Sequence, residues 1–241
     1  MTPIKNNVFR RARFRARLIA LWQVVRDDQR RFYCRAVGVR FGIVLFLASV
    51  LANTSLDQAV RDWCQARRDH ASLAESIHAV TKQFGQAGNI LAGAGGAALI
   101  GLAAGCPGAA AVGTWGTKML RALAVAAPPL FIGQRLLGGS RPVEHNNQPE
   151  RGSAWRFCRD SNAISGHAMA GALPFLVAAD MMSHPAAQAV LYACSGLTAV
   201  SRINSDSHYL SQIILGWWLA WLAARTVRPG GQRLFAATTG T

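Results

Sequence analysis

Charge is scarce in this chain: only 15% of its 241 residues are Asp, Glu, Lys or Arg, and 11 of those are acidic. So few acids exclude an acidic binding module, while 51% apolar residues exclude a disordered chain. Five scattered cysteines are too few for a disulfide scaffold. Asp, Glu and His nowhere cluster at metal-ligand spacing, so neither a metal nor another cofactor is expected. The apolar content exceeds what one soluble core usually needs, and the length suits one domain.

Net charge is nonetheless +15, because 26 Lys and Arg outnumber the acids. Eleven of those cations, against two Asp, fall in residues 1–40, so the basicity is mostly a property of the N-terminal tail. Within residues 1–36, Arg10, Arg11, Arg13, Arg15, Arg17, Arg26, Arg30, Arg31 and Arg35 interleave with Phe14, Leu18, Leu21, Trp22 and Val25. Apolar residues at three- and four-residue spacing in a basic run describe an amphipathic helix on an anionic membrane face. A nucleic-acid arm is the rival reading of such a run. The membrane domain that follows argues against it, so no nucleic acid partner is expected. Arg10–Arg11 does not open a signal peptide, since no apolar stretch follows until about Val37.

Six apolar stretches then follow: Val37–Leu56, Gly88–Cys106, Leu120–Leu137, Ile164–Met182, Ala186–Val200 and Ser211–Val227. A bilayer crossing takes about 20 residues. Several stretches are short or built from Gly and Ala rather than Leu, which accounts for a mean hydropathy of only +0.17. Gly101-x-x-x-Gly105 and the run Gly93–Ala98 allow close helix approach. The expected fold is an all-α, polytopic membrane bundle of about six transmembrane helices over residues 37–227. The basic tail 1–36 precedes it and a short tail, 228–241, follows. An even number of crossings puts both termini on one side, together with the Lys118/Arg121 connection and Arg225, Arg228 and Arg233. By the positive-inside rule that side is cytoplasmic, in a multi-pass inner-membrane protein.

One outer region breaks that rule. Arg135, Arg141, Arg151, Arg156 and Arg159 face Glu144, Glu150 and Asp160 between the third and fourth stretches, and Arg202 lies in the next outer connection. Cations kept where topology disfavours them call for an anionic ligand, and three segments supply its site. Gly139-Ser140-Arg141-Pro142 offers an Arg fork for phosphate oxygens. Asp160-Ser161-Asn162-Ala163-Ile164-Ser165-Gly166-His167 places a hydroxyl and free N–H groups at a helix N-terminus, with His167 in the first turn. In Ser201-Arg202-x5-His208-x3-Gln212, the four-residue spacing lets the Gln212 carboxamide accept from the imidazole and fix its tautomer. Each segment alone reads equally well as solvated Arg, helix cap or incidental His. Because the fourth and fifth stretches go down and back, the second and third segments emerge on one membrane face.

Arg141-Pro142, Ser165-Gly166-His167 and Ser201-Arg202-x5-His208, in that order, resemble the tripartite signature of the type 2 phosphatidic acid phosphatase superfamily. That superfamily also holds bacterial acid phosphatases and vanadium haloperoxidases, and the resemblance spans roughly residues 87–227. It implies that His208 is the nucleophile forming a phosphohistidine. It implies that His167 is the general acid that later activates water, and that Arg141, Arg202, Ser165 and Gly166 cradle the phosphate without a metal. Two positions depart from the pattern. Gln134, with Arg135 beside it, stands where the family has Lys, and Gln212 stands where it has Asp; Asp206 is near enough in sequence to compensate. The resemblance implies a phosphatase for a phosphorylated membrane lipid, with a periplasmic or extracellular active site. The alternatives are a member that binds such a lipid without turnover, a lipid phosphotransferase, and vanadate-dependent halide oxidation.

Other features carry less. Gly93-Ala94-Gly95-Gly96-Ala97-Ala98 fits a dinucleotide fingerprint but follows no strand and precedes no acid at the required distance, so it reads as helix packing. His70, His78, His145 and His184 have no spaced partners. Cys64 and Cys158, both expected outside the cytoplasm, can pair or stay free. Asp180 needs no role beyond the membrane interface. Trp217, Trp218 and Trp221 read as lipid contact and packing.

Overall fold

The computed structural model describes residues 22–67, 85–103, 106–143 and 152–227, together with Arg15, Ile19, Ala20 and Gln83. Among the described residues the chain is all-helical, with no strand. A helical segment over residues 22–32 leads into α1 (Arg35–Ala52) and α2 (Leu56–Ala66). Next come α3 (Ala87–Ala103), α4 (Pro107–Leu137) and α5 (Gly166–Met181), then α6 (Pro185–Ser195), α7 (Leu197–Asn204) and α8 (Leu210–Thr226). Pro107 and Pro185 open α4 and α6 at positions where a missing N–H costs nothing.

The apolar stretches are all helical, but their limits differ from the sequence reading in two places. α4 is one helix of 31 residues, so Lys118 and Arg121 lie inside it rather than in a connection. Both are buried, because each cation has a carboxylate partner that hydropathy cannot reveal. Lys118 Nζ is 2.5 Å from Asp180 Oδ2, and the Arg121 fork donates to both Asp28 oxygens at 2.7 and 2.8 Å. Asp180 therefore has a structural role that the interface reading denied it. The fifth stretch is likewise two helices, α6 and α7, broken at Gly196. α1 and α4 are long and apolar enough to cross a membrane by length and composition, whereas α3 is apolar but shorter.

The core lies where α4, α5 and α8 meet. Met119, Ala122 and Val125 pack with Leu173, Leu176 and Val177, and with Leu215, Leu219 and Leu222. α3 lies along α4 through small residues, with Gly101 against Gly113 and the Ala94–Ala97 turn against Gly116. The Gly93–Ala98 run therefore does serve packing. Pro129 inside α4 cannot donate to the carbonyl four residues back, and that orphan, Val125 O, accepts from Tyr33 Oη at 3.0 Å. With Phe32 buried and Asp28 on Arg121, the 22–32 segment is docked onto the bundle while Trp22 and Val25 stay exposed. Phe14, Leu18 and Leu21 of the expected amphipathic face lie outside the described residues, as do Gly105, Arg151, His70, His78 and His145. Cys64 and Cys158 are free thiols.

Candidate active site

Gly138 ends α4 in the left-handed conformation, φ +67°, with the Arg156 carbonyl occupying the space a side chain would need. The chain then doubles back over this end. Arg156 N–H donates to Gly138 O at 3.0 Å and Asn162 N–H to Gly139 O at 2.9 Å, so residues 152–163 lead straight into α5. Arg141 is exposed at the rim, with Nε donating to Asn162 Oδ1 at 2.9 Å.

Ser165 caps α5: its Oγ accepts from Ala168 N–H at 3.2 Å and its own N–H donates to Gln212 O at 2.9 Å. The hydroxyl expected to cradle phosphate is thus fully buried as a cap, and its proton remains the group it can offer. Gly166 and His167 fill the first turn of α5, where amides have no partner within the helix. His167 is half-buried, with Gly85 so close to its imidazole that a side chain at position 85 would meet the ring.

His208 sits just before α8, 5% exposed, with Nδ1 2.8 Å from Gln212 Oε1. Gln212 Nε2 donates to Ser140 O at 2.6 Å, so its Oε1 must face the imidazole and Nδ1 must carry the proton. That leaves the Nε2 lone pair of His208 unblocked. Gln212 therefore ties all three segments together: first to Ser140, second through Ser165, third to His208. Gln134 is turned the same way, its Nε2 donating to Ile164 O at 2.8 Å, so it braces the backbone before Ser165. Arg135 lies about 100° round the helix and is exposed, apart from this cluster.

Arg202, at the end of α7, is 5% exposed, and its Nε and Nη2 have no partner among the described residues. Burial holds its pKa below the usual arginine value, and the nearby Arg141 lowers it further. Burial likewise lowers the His208 pKa to about 4, against the raising effect of Gln212, and the charges of Arg141, His167 and Arg202 add to the lowering. Arg141, His167 and Arg202 thus lie near enough to His208 for their charges to act on it, surroundings that favour an anion. Among the described residues no group of three or more His, Cys, Asp or Glu is placed to hold a metal.

Sequence reasoning missed α2. Asp206, the residue expected to compensate for Gln212, is instead held by Arg61, whose Nε and Nη2 donate to its two oxygens at 2.6 and 2.5 Å. Asp57 is fully buried and accepts from both the N–H and Oγ of Ser211. The available signal was the spacing of Asp57, Gln58, Arg61 and Gln65, which puts four polar groups on one helical face.

The model of the PAP2 superfamily matches residues 115–234, a span from Trp115 in α4 through α8 that contains every residue of this site. The match begins later than the resemblance by motif, leaving α1, α2 and α3 outside it. No curated protein and no solved structure matches the chain.

Proposed function

We propose, on the premise that this chain belongs to the PAP2 superfamily, that it is a metal-independent membrane phosphatase hydrolysing a lipid phosphate or diphosphate through a phosphohistidine. Membership supports phosphatase activity on phosphate esters, and the observation that carries the rest is Arg202. A buried guanidinium with two unpartnered nitrogens costs stability unless something anionic completes it. His208 lies near enough to feel that same charge, and its burial keeps it neutral at neutral pH.

His208 Nε2 attacks phosphorus as the ester P–O bond breaks, and His167 delivers a proton to the leaving oxygen. His167 then takes a proton from the water that attacks phosphorus and breaks the P–N bond. Arg202 and Arg141, with the Gly166 and His167 amides, hold the phosphoryl oxygens throughout. The six apolar stretches are read as crossings of residues 37–227, with both tails cytoplasmic and the site on the outer face of the inner membrane. A lipid substrate suits a site at one end of an apolar bundle, since its chains stay in the bilayer while its head group reaches Arg141. A second reading, a member that binds such a lipid without turnover, rests on the neutral Gln212.

Phosphate release from phosphatidic acid, phosphatidylglycerol phosphate, polyprenyl diphosphate and lipid A by the purified protein tests the proposal. Release from at least one of them, abolished in His208→Ala, is expected. Equal release by both proteins would remove His208 from the mechanism.

A further inference from the structure

The strongest feature outside the matched region is what α2 holds. Its polar residues at positions 57, 58, 61 and 65 all touch residues 203–211, the segment carrying the proposed nucleophile and the first turn of α8. Gln65 Nε2 donates to Ile203 O at 2.8 Å, Tyr209 Oη to Gln58 Oε1 at 3.3 Å, and Ser211 N–H to Asp57 at 3.0 Å. Between them the Arg61 fork grips Asp206, with both side chains about nine-tenths shielded from water, at 13% and 14% exposure. Asp206 has φ +53°, a left-handed conformation uncommon for a residue with a Cβ, which Asp tolerates better than Ala does. The turn it makes separates Arg202 from His208, so its shape decides whether the two face the same point. Asp57 adds a carboxylate at the N-terminus of α8, favoured by the helix dipole, one residue from Gln212.

We propose that α2 is a positioning clamp, in which Arg61 holds Asp206 in its left-handed turn and Asp57 anchors the first turn of α8, so that Arg202 and His208 converge on one phosphoryl group. The proposal rests on the phosphatase reading above. The α2 residues act at one remove: Arg61 through Asp206, and Asp57 through the turn that bears Gln212. The α2 half of the clamp lies outside residues 115–234, which the family model matches, and its partners Asp206 and Ser211 lie inside them.

The test compares Arg61→Ala, Arg61→Ala/Asp206→Ala and Arg61→Ala/Asp206→Gly in the full chain in nanodiscs, with the lipid phosphate that turns over fastest. Arg61→Ala is expected to lower kcat by about 10- to 100-fold, since small displacements cost that much. KM should stay within about threefold of the parent, the sign of an interaction used in the transition state. Glycine at 206 needs no clamp to hold a positive φ, so the Gly double variant recovers most of the loss and the Ala double variant does not. A second readout needs no turnover: ¹⁵N spectra of the imidazoles, with the His208 signals assigned by their loss in His208→Ala. The parent and the Gly double variant should show His208 as one tautomer protonated at Nδ1, while Arg61→Ala shows exchange between tautomers. If no lipid turns over but the spectra follow this pattern, the phosphatase reading falls and the clamp stands. If Arg61→Ala keeps both kcat and spectrum, or if alanine rescues as well as glycine, the clamp is overturned. Should Arg61→Ala not fold, the same contrast is carried by the single variants, with Asp206→Gly exceeding Asp206→Ala in kcat by about tenfold.

Discussion

Gln212 is an amide where the family has a carboxylate, and its two bonds use both ends of that amide. Its Oε1 fixes the His208 tautomer while its Nε2 donates to Ser140 O at 2.6 Å, a bond that a carboxylate cannot make. Gln212→Asp, one methylene shorter and without an N–H, loses that bond to the buried carbonyl. An unsatisfied buried group costs about 1–3 kcal/mol, so phosphate release should fall about tenfold or more rather than rise. A matched lipid phosphatase assay of the two proteins checks the direction. Protonation gives a second prediction at this scale. The His208 pKa is lowered to about 4, chiefly by burial, so the free protein keeps its nucleophile neutral at every pH above that. The acid limb of kcat/KM from this group should fall only as pH drops through about 4, not near the ordinary histidine value of about 6.5. Imidazole ¹⁵N signals that titrate near the ordinary value of about 6.5 and are lost in His208→Ala would contradict the burial argument.

Among elements, the helices at the site were legible because their start and stop signals are local: Ser165 before α5, Gly138 after α4, four-residue spacing in the third segment. What sequence could not show was contact between distant residues. Lys118 and Arg121 read as a loop because isolated cations belong in water, and only folding brings Asp180 and Asp28 to them, 62 and 93 residues away in sequence. The spacing in α2 marks a polar face but not its partners, since Asp57 and Arg61 meet Ser211 and Asp206 only in the folded chain. The buried pairs make a testable claim. Asp28→Ala strands the Arg121 guanidinium and should lower stability by about 3–5 kcal/mol, whereas Asp28→Leu/Arg121→Met, which removes both charges, should cost far less. Thermal unfolding in one detergent distinguishes the two. Equal losses would mean that the fork does not hold the 22–32 segment in place.

At the scale of the whole molecule, the ion pairs and the active site mark two ends of the bundle. Lys118 and Leu137 are separated by 19 residues of α4, about 28 Å at helical rise, close to the thickness of a bilayer's hydrocarbon core of about 30 Å. On the proposed topology, the charges that seemed to mark a loop lie at the membrane boundary, although the helix runs on past them to Pro107. On the proposed topology, exposed Cys158 lies outside and exposed Cys106, at the α3–α4 turn, lies inside. A membrane-impermeant maleimide applied to intact cells should label a Cys158-only variant and spare a Cys106-only variant until the membrane is opened. The reverse pattern would invert the bundle and place the site in the cytoplasm.

The proposed mechanism has His208 carry the phosphoryl group, which rapid-quench trapping with a ³²P-labelled lipid phosphate reads out. It requires a transient label on His208, stable to alkali and labile to acid, that is absent from His208→Ala. Phosphate release with no label on His208 at any quench time would contradict it.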